Sequence, residues 1–239
     1  MSTHSITITP DFVWPEPDTH GNRTLANGAV IKQGAVIKQG ASIGRRASIG
    51  PGAVIEQGAR IKQGAVIEQG ARIEQGARIE QGARIEQGAV IGQGAVIEQY
   101  VSIEQYVSIG PNAVIEQGAV IGPSAVIGSS AVIGQYATIG QYAVIGPDAS
   151  IEHDATIGQG ARIERHARWI ACVGFADGYY KDLCVVGDVA YIGAGCRWFT
   201  LGEALRHWGN HPEERQDTLD LMQAAVAIAK RRGLKLEEA

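Results

Sequence analysis

The sequence predicts a mainly β chain: a solenoid of short parallel strands wound around an aliphatic core, followed by a small α+β domain. Three observations carry this expectation. Isoleucine stands at every sixth position from Ile31 to Ile163, 23 times without interruption, and so strict a period marks an architecture of stacked identical units. Apolar residues make up 45% of the chain but aromatic residues only 6%, so the filling must be Ile, Val and Ala. The period stops after Trp169, and the remaining residues carry turn and helix-cap signals of another kind.

The chain divides into residues 1–24, 25–169 and 170–239. An exposed end of a stacked-strand rod is an open sheet edge, so a cap is expected there. Residues 1–24 suit that role: Ser5 to Thr9 alternates like a strand, Pro10, Pro15 and Pro17 interrupt it, and Phe12, Val13 and Trp14 offer bulk.

In the repeat, as in Gly76 to Gln81, Ile never varies and the residue two before it is Ala, or Val at Val101 and Val107. Both point inward, because strand side chains alternate faces. The residue between them changes freely (Val66, Arg72, Ser102, Thr138) and points out. Turns fall at Gln-Gly, Gly-Pro and Gln-Tyr pairs. Tyr100 and Tyr106 recur as Tyr136 and Tyr142, six hexapeptides on. Leu25 and Trp169 keep the phase at either end, giving 25 units.

This pattern resembles the bacterial hexapeptide-repeat superfamily over residues 25 to about 169. The resemblance implies a left-handed, triangular parallel β-helix with three hexapeptides per coil, hence about eight coils, and the 36-residue recurrence of the tyrosines agrees with two such coils. It also implies side-by-side trimers, and for many members acyl transfer from acyl-CoA or acyl carrier protein with a His as general base.

After the array, Asp177-Gly178 and Gly187-Asp188 are two-residue hairpin signals. They predict a three-stranded meander over about 168–176, 179–186 and 189–197, with Cys172 opposite Leu183 and Cys184 opposite Tyr191. Two helices should follow, opened by capping boxes at Thr200/Glu203 and Asn210/Glu213, the second with an apolar stripe of Leu219, Met222, Val226 and Ala229. The run from Gly195 to Trp208 resembles the tail domain of uncharacterised bacterial and phage-encoded hexapeptide proteins, a resemblance that implies no activity.

Composition narrows function by exclusion. The net charge is −4 and divides evenly, 13 Lys/Arg against 15 Asp/Glu up to residue 169 and 8 against 10 beyond it, so neither part has the basic footprint of a nucleic-acid binder. No apolar run approaches a membrane span and no signal peptide is evident, so the expected setting is cytoplasmic or phage-associated. Cys172, Cys184 and Cys196 are odd in number and lack metal-ligand spacing, so free thiols are expected, with no metal and no cofactor.

Candidate chemistry is sparse. His153 and His166 sit at turns, on different corners of the triangle. With no loop interrupting the array, solvated turn residues are favoured over a catalytic pair or a zinc site. His207 and His211, four apart beside a helix end, suit a surface or capping role better than a metal pair. The tyrosine pairs could be corner packing or two aromatic tracks for a sugar or a protein, with Gly118 and Ser124 leaving gaps. One outward face, read once per coil, collects Val36, Val54, Val90, Val126 and Val144, which suits a lateral homo-oligomer contact with a trimer favoured. The sequence therefore favours a non-enzymatic, rigid oligomeric scaffold with no assigned catalytic residue, and an acyltransferase using His153 or His166 is the alternative. The near-identical repeats fit recent duplication or consensus design.

Overall fold

In the computed structural model the described residues are 5–163, 167–176, 179–186, 189–194, 197–209 and 216–231. Short rungs recur at each hexapeptide, from β3 (Val30–Ile31) through β25 (Arg162–Ile163), and up to β22 (Val144–Ile145) each pairs in parallel with the third rung after it, one coil on. The 23 rungs make seven complete coils and two sides of an eighth. The third side of that coil is supplied by β26 (Ala167–Ala176), whose Trp169 pairs with Ile151 as one more rung.

The rungs form three parallel sheets. Following the chain from Val30, we call them the first, second and third faces, joined by the first, second and third corners. The first face carries Val66, Arg84, Ser102, Val120, Thr138 and Thr156 outward. The second carries Val36, Val54, Arg72, Val90, Ser108, Val126, Val144 and Arg162, and the third includes Ser42, Arg60 and Arg78.

Why these residues build this shape follows from period and side-chain size. The inward Ile and Ala positions from Ala41 to Ile151 are essentially inaccessible to water, as are Val101 and Val107. Identical residues stack on one another from coil to coil, Ile67 on Ile85 on Ile103. The rung backbone pairs the same way: Val66 N–H donates to Ala83 carbonyl at 2.9 Å and Glu68 N–H to Ile85 carbonyl at 2.8 Å. A two-residue strand that could not stand alone thus satisfies its polar groups through its neighbours.

Each corner needs one residue in the left-handed backbone region. Glycine fills most of these places, but the four tyrosines also adopt it, with φ of 57° to 59°. Glutamates close some corners from outside. The backbone N–H groups of Gln93, Gln117 and Gln135 donate to Glu74, Glu98 and Glu116 of the coil before, at 3.1 to 3.2 Å. Arg84 pairs with Glu68 at 2.6 Å and with Glu86 at 3.3 Å on an exposed face.

At the start of the rod, β1 (Ser5–Thr7) lies antiparallel on Ser42–Gly44 and β2 (Arg23–Thr24) antiparallel on β3. Leu25 is buried but belongs to no rung, so the array begins one unit later than the phase alone implied. Phe12 and Trp14 meet edge to face at 5.0 Å, and both pack against the solenoid core.

The C-terminal part departs from expectation in two ways. It has four antiparallel strands rather than three: β26, β27 (Tyr179–Val186), β28 (Val189–Ala194) and β29 (Arg197–Thr200). The expected third strand ran on to residue 197, whereas the observed one ends at Ala194 and the chain returns. The register also slips. Cys184 does pair with Tyr191, but Cys172 pairs with Asp182 and it is Ala171 that pairs with Leu183. Two irregularities, at Trp169/Ala171 and Cys172/Gly174, account for the shift. The first half of β26 must stay in register with the rod while its second half follows the hairpin, and extra residues absorb the conflict.

Helix α1 (Leu201–Gly209) opens as expected. Thr200 N–H donates to Glu203 Oε2 at 2.8 Å, and Glu203 N–H to Thr200 Oγ1 at 3.2 Å. Helix α2 spans Gln216–Arg231, and the expected Asn210/Glu213 cap lies outside the described residues. Met222, Leu219 and Val226 join a second core with Leu183, Ile192, Leu201 and Trp208. Thr218 and Ala225 are buried there too and were not foreseen, while the side chain of Ala229 is outside the described residues.

Candidate functional site

Among the expected site residues, His153 has the most informative surroundings. It occupies the third corner, directly before Asp154, and the two side chains meet: His153 Nδ1 and Asp154 Oδ2 are 2.9 Å apart. An ionised carboxylate only accepts hydrogen bonds, so Nδ1 carries the proton and Nε2 of the neutral ring is left as an acceptor. The hydrogen bond to Asp154, then the charges of Asp154 and Glu152, hold the His153 pKa above its ordinary value. Asp154 itself takes a left-handed φ of 57°. The pair is open to water, with the His153 side chain 77% exposed.

His166 and His211 lie outside the described residues. His207, on α1, stacks on Phe199 at 5.3 Å and meets Trp208 edge to face at 4.9 Å, which is a packing role. No group of three or more metal-ligating side chains occurs among the described residues. Cys196 and the side chains of Cys172 and Cys184 fall outside them.

The second face matches the valine strip in residues and register. Val36 is 48% and Val126 43% exposed, with Val54, Val90 and Val144 half-buried. The array runs from Val30 to Ile163 with no insertion, as the unbroken period implied. No described helix is long and apolar enough to cross a membrane.

Two features escaped the sequence reading. The first is Asp154 as the partner of His153, although their adjacency was the available signal. The second is a cleft of about 300 Å³ where the N-terminal segment meets the first corner, lined by Trp14, Arg23, Ile31, Lys32 and Gln33 among others. Arg23 Nη1 donates to the Pro15 carbonyl there, so that cation is already engaged. The cleft is more than six coils from His153, roughly 30 Å at the strand spacing.

The family described as bacterial transferase hexapeptide (six repeats) matches residues 100–135 and 136–168, the second stretch containing His153 and Asp154. No curated protein sequence matches the chain. Among solved structures, it is similar to UDP-N-acetylglucosamine acyltransferase of Francisella novicida, at 20% identity over 59% of this chain and 60% of that one, with a TM-score of 0.40. The chain thus spans about 60% of that enzyme's length. It is also similar to the Campylobacter jejuni UDP-N-acetylglucosamine acyltransferase, at 22% identity over 74% and 77% of the two chains, TM-score 0.27. A hexapeptide transferase family protein of Anaplasma phagocytophilum matches at 17% identity over 85% and 93%, TM-score 0.24. The family match over residues 100–168 and the three-faced stack of parallel six-residue rungs support placing the chain with the bacterial hexapeptide-repeat superfamily.

Proposed function

We propose that the chain works as an oligomeric acyltransferase in which His153, oriented by Asp154, is the general base. The observation that carries this reading is the 2.9 Å contact between His153 Nδ1 and Asp154 Oδ2. A carboxylate that fixes the tautomer and raises the basicity of an imidazole prepares Nε2 to take a proton. In the reaction, Nε2 removes the proton of an acceptor hydroxyl or amine as that atom bonds to the thioester carbonyl carbon of an acyl-CoA. The carbon–sulfur bond then breaks, and the imidazolium returns the proton to the departing thiolate.

A lone rod offers little to exclude water around so exposed a histidine, so the reading requires a second copy. The valine face supplies the contact, and a homotrimer is the assembly we favour. In a three-fold arrangement of triangular rods, the two faces beside the axial corner contact the neighbours. If the valine face is one of these and the acidic first face is not, the axial corner is the second, between the second and third faces. The third corner, with His153, then stands at the mouth of the groove between subunits.

The test is release of free CoA from acetyl-CoA in the presence of amino-sugar and sugar-alcohol acceptors, with native protein and with His153→Ala and Asp154→Asn. Loss of a positioned general base should lower the rate by about 10² to 10⁴. An unchanged rate in His153→Ala, or no acyl-CoA binding by the native oligomer, would reject the proposal.

A second reading is a non-enzymatic rigid scaffold. It is favoured by the uninterrupted array and by the open surroundings of His153. It requires the valine-face oligomer without acyl-CoA binding, which the same titration separates.

A further inference from the structure

We infer that the first face of the rod, between its two tyrosine-bearing corners, is a binding platform for a neutral, extended β-linked oligosaccharide. The inference goes beyond acyl transfer and does not depend on it.

Tyr100 and Tyr136 stand on the third corner and Tyr106 and Tyr142 on the first, so both pairs border the same face. All four are between 55% and 58% exposed, and all four hold a left-handed φ. In the same two columns Gly64, Gly82, Gly118, Gly70, Gly88 and Gly160 do the corner's backbone work without the cost of a bulky residue in that conformation. Tyrosine is therefore kept there against local preference, with more than half of each side chain facing water.

The rings are not isolated posts. A methyl group added to Gly82 would meet the Tyr100 ring at 2.8 Å, one on Gly88 the Tyr106 ring at 2.7 Å, and one on Gly118 the Tyr136 ring at 2.5 Å. Each of these rings lies back over the coil before it, so Gly118 is not the gap that the sequence suggests but the floor beneath Tyr136. The third corner is thereby faced with aromatic carbon over four successive coils.

Periodicity and charge select the ligand. Within a column the tyrosines are two coils apart, which is roughly 10 Å at the ~4.8 Å strand spacing. In an extended β-linked glycan, sugars i and i+2 are separated by a comparable length and present equivalent faces, whose C–H groups stack on aromatic rings. Hydroxyls and amides border each track: Ser102 and Thr138 on the face, Gln99 and Gln135 at one corner and Gln105 at the other. Stacked nucleobases would suit the rings too, but residues 85–161 contain no Lys or Arg and seven Asp or Glu. A polyphosphate backbone would be repelled there. The same excess of acid argues against a second copy of this chain on this face, whereas the valine face has no such bar.

The experiment is titration of the full-length protein with cellohexaose, N-acetylchitohexaose and the α-linked maltohexaose, read by calorimetry and by NMR of the tyrosine rings. The variants are Tyr100→Gly with Tyr136→Gly, which restore the residue already used in that column and so preserve the corner. We expect saturable binding of at least one β-linked hexasaccharide, weaker binding of maltohexaose, and a loss of roughly tenfold per ring removed, as for other stacking on aromatic side chains. No binding of either β-linked sugar at millimolar concentration would overturn the inference. So would equal affinity in the double variant, or a change in its oligomeric mass, which would make the tyrosines a protein contact.

Discussion

Replacing Ile85 by Asp tests the core of the architecture most directly. Ile85 is wholly buried and stacks between Ile67 and Ile103. Removing it forfeits about 2 to 3 kcal/mol of apolar burial. An unpartnered carboxyl among aliphatic side chains costs a further ~1 to 3 kcal/mol even when neutral. Keeping it neutral at pH 7, about three units above its ordinary pKa, adds ~4 kcal/mol. The total, roughly 7 to 10 kcal/mol, rivals the whole stability of a typical domain. In a stacked array the damage should centre on the coils that touch residue 85.

The sign with pH is a further check. A carboxyl whose folded pKa is raised binds more protons when folded, so stability of the variant falls as pH rises above about 4. The variant should therefore be less defective near pH 4 than at pH 7. Arg84→Ala, one residue away, is the control: its ion pairs with Glu68 and Glu86 are exposed and should be worth only ~0.2 to 1 kcal/mol each. Denaturant unfolding and amide exchange at both pH values give the readout. Native-like unfolding of Ile85→Asp, or equal damage from the two substitutions, would refute the inward assignment of isoleucine.

Other outcomes follow from particular contacts. Asp154→Asn should lower the His153 pKa towards its ordinary 6.5, seen by NMR titration of the ring. Because the native value is raised, the stabilisation from charged His153 is complete below about 6.5 and disappears as pH rises through the folded pKa. Gly92→Ala should destabilise, since the new methyl would meet the Gly110 and Ile109 backbone at 2.7 Å, whereas Gly158→Ala meets nothing within 4 Å and should be neutral; comparison of melting temperatures decides. Thr200→Ala removes the hydroxyl that accepts from Glu203 N–H and should cost about 1 kcal/mol of α1 stability, measured by denaturant unfolding. Val126→Asp on the half-exposed valine strip should lower the solution mass if that face joins subunits.

Much of this molecule is legible in its sequence because the repeat leaves few choices. A six-residue period with invariant Ile and Ala has one way to bury both, and the 36-residue return of the tyrosines agrees with the coil of three units that the family resemblance implies. The inward positions of each rung and the Thr200/Glu203 cap follow from spacing, whereas the three faces, and the valine strip read from them, follow from the resemblance to hexapeptide-repeat proteins. The candidate site was less legible. His153 reads as one more polar turn residue until its ring is seen against Asp154, because adjacent residues on a strand point apart whereas at a corner they can converge.

Period and residue size alone determined the inward and outward sides of every rung, since one shift of register would expose the isoleucines and bury arginine and glutamate. Only the tertiary structure decided where the array begins, why β26 carries two irregularities, and which way the tyrosine rings lie. Those outcomes depend on competing contacts between segments far apart in the chain: Leu25 beside an antiparallel pair, β26 held by both rod and hairpin, and each of Tyr100, Tyr106 and Tyr136 finding a glycine one coil back. Local pattern has no access to such competitions, because their result is set by which partner is close enough to touch.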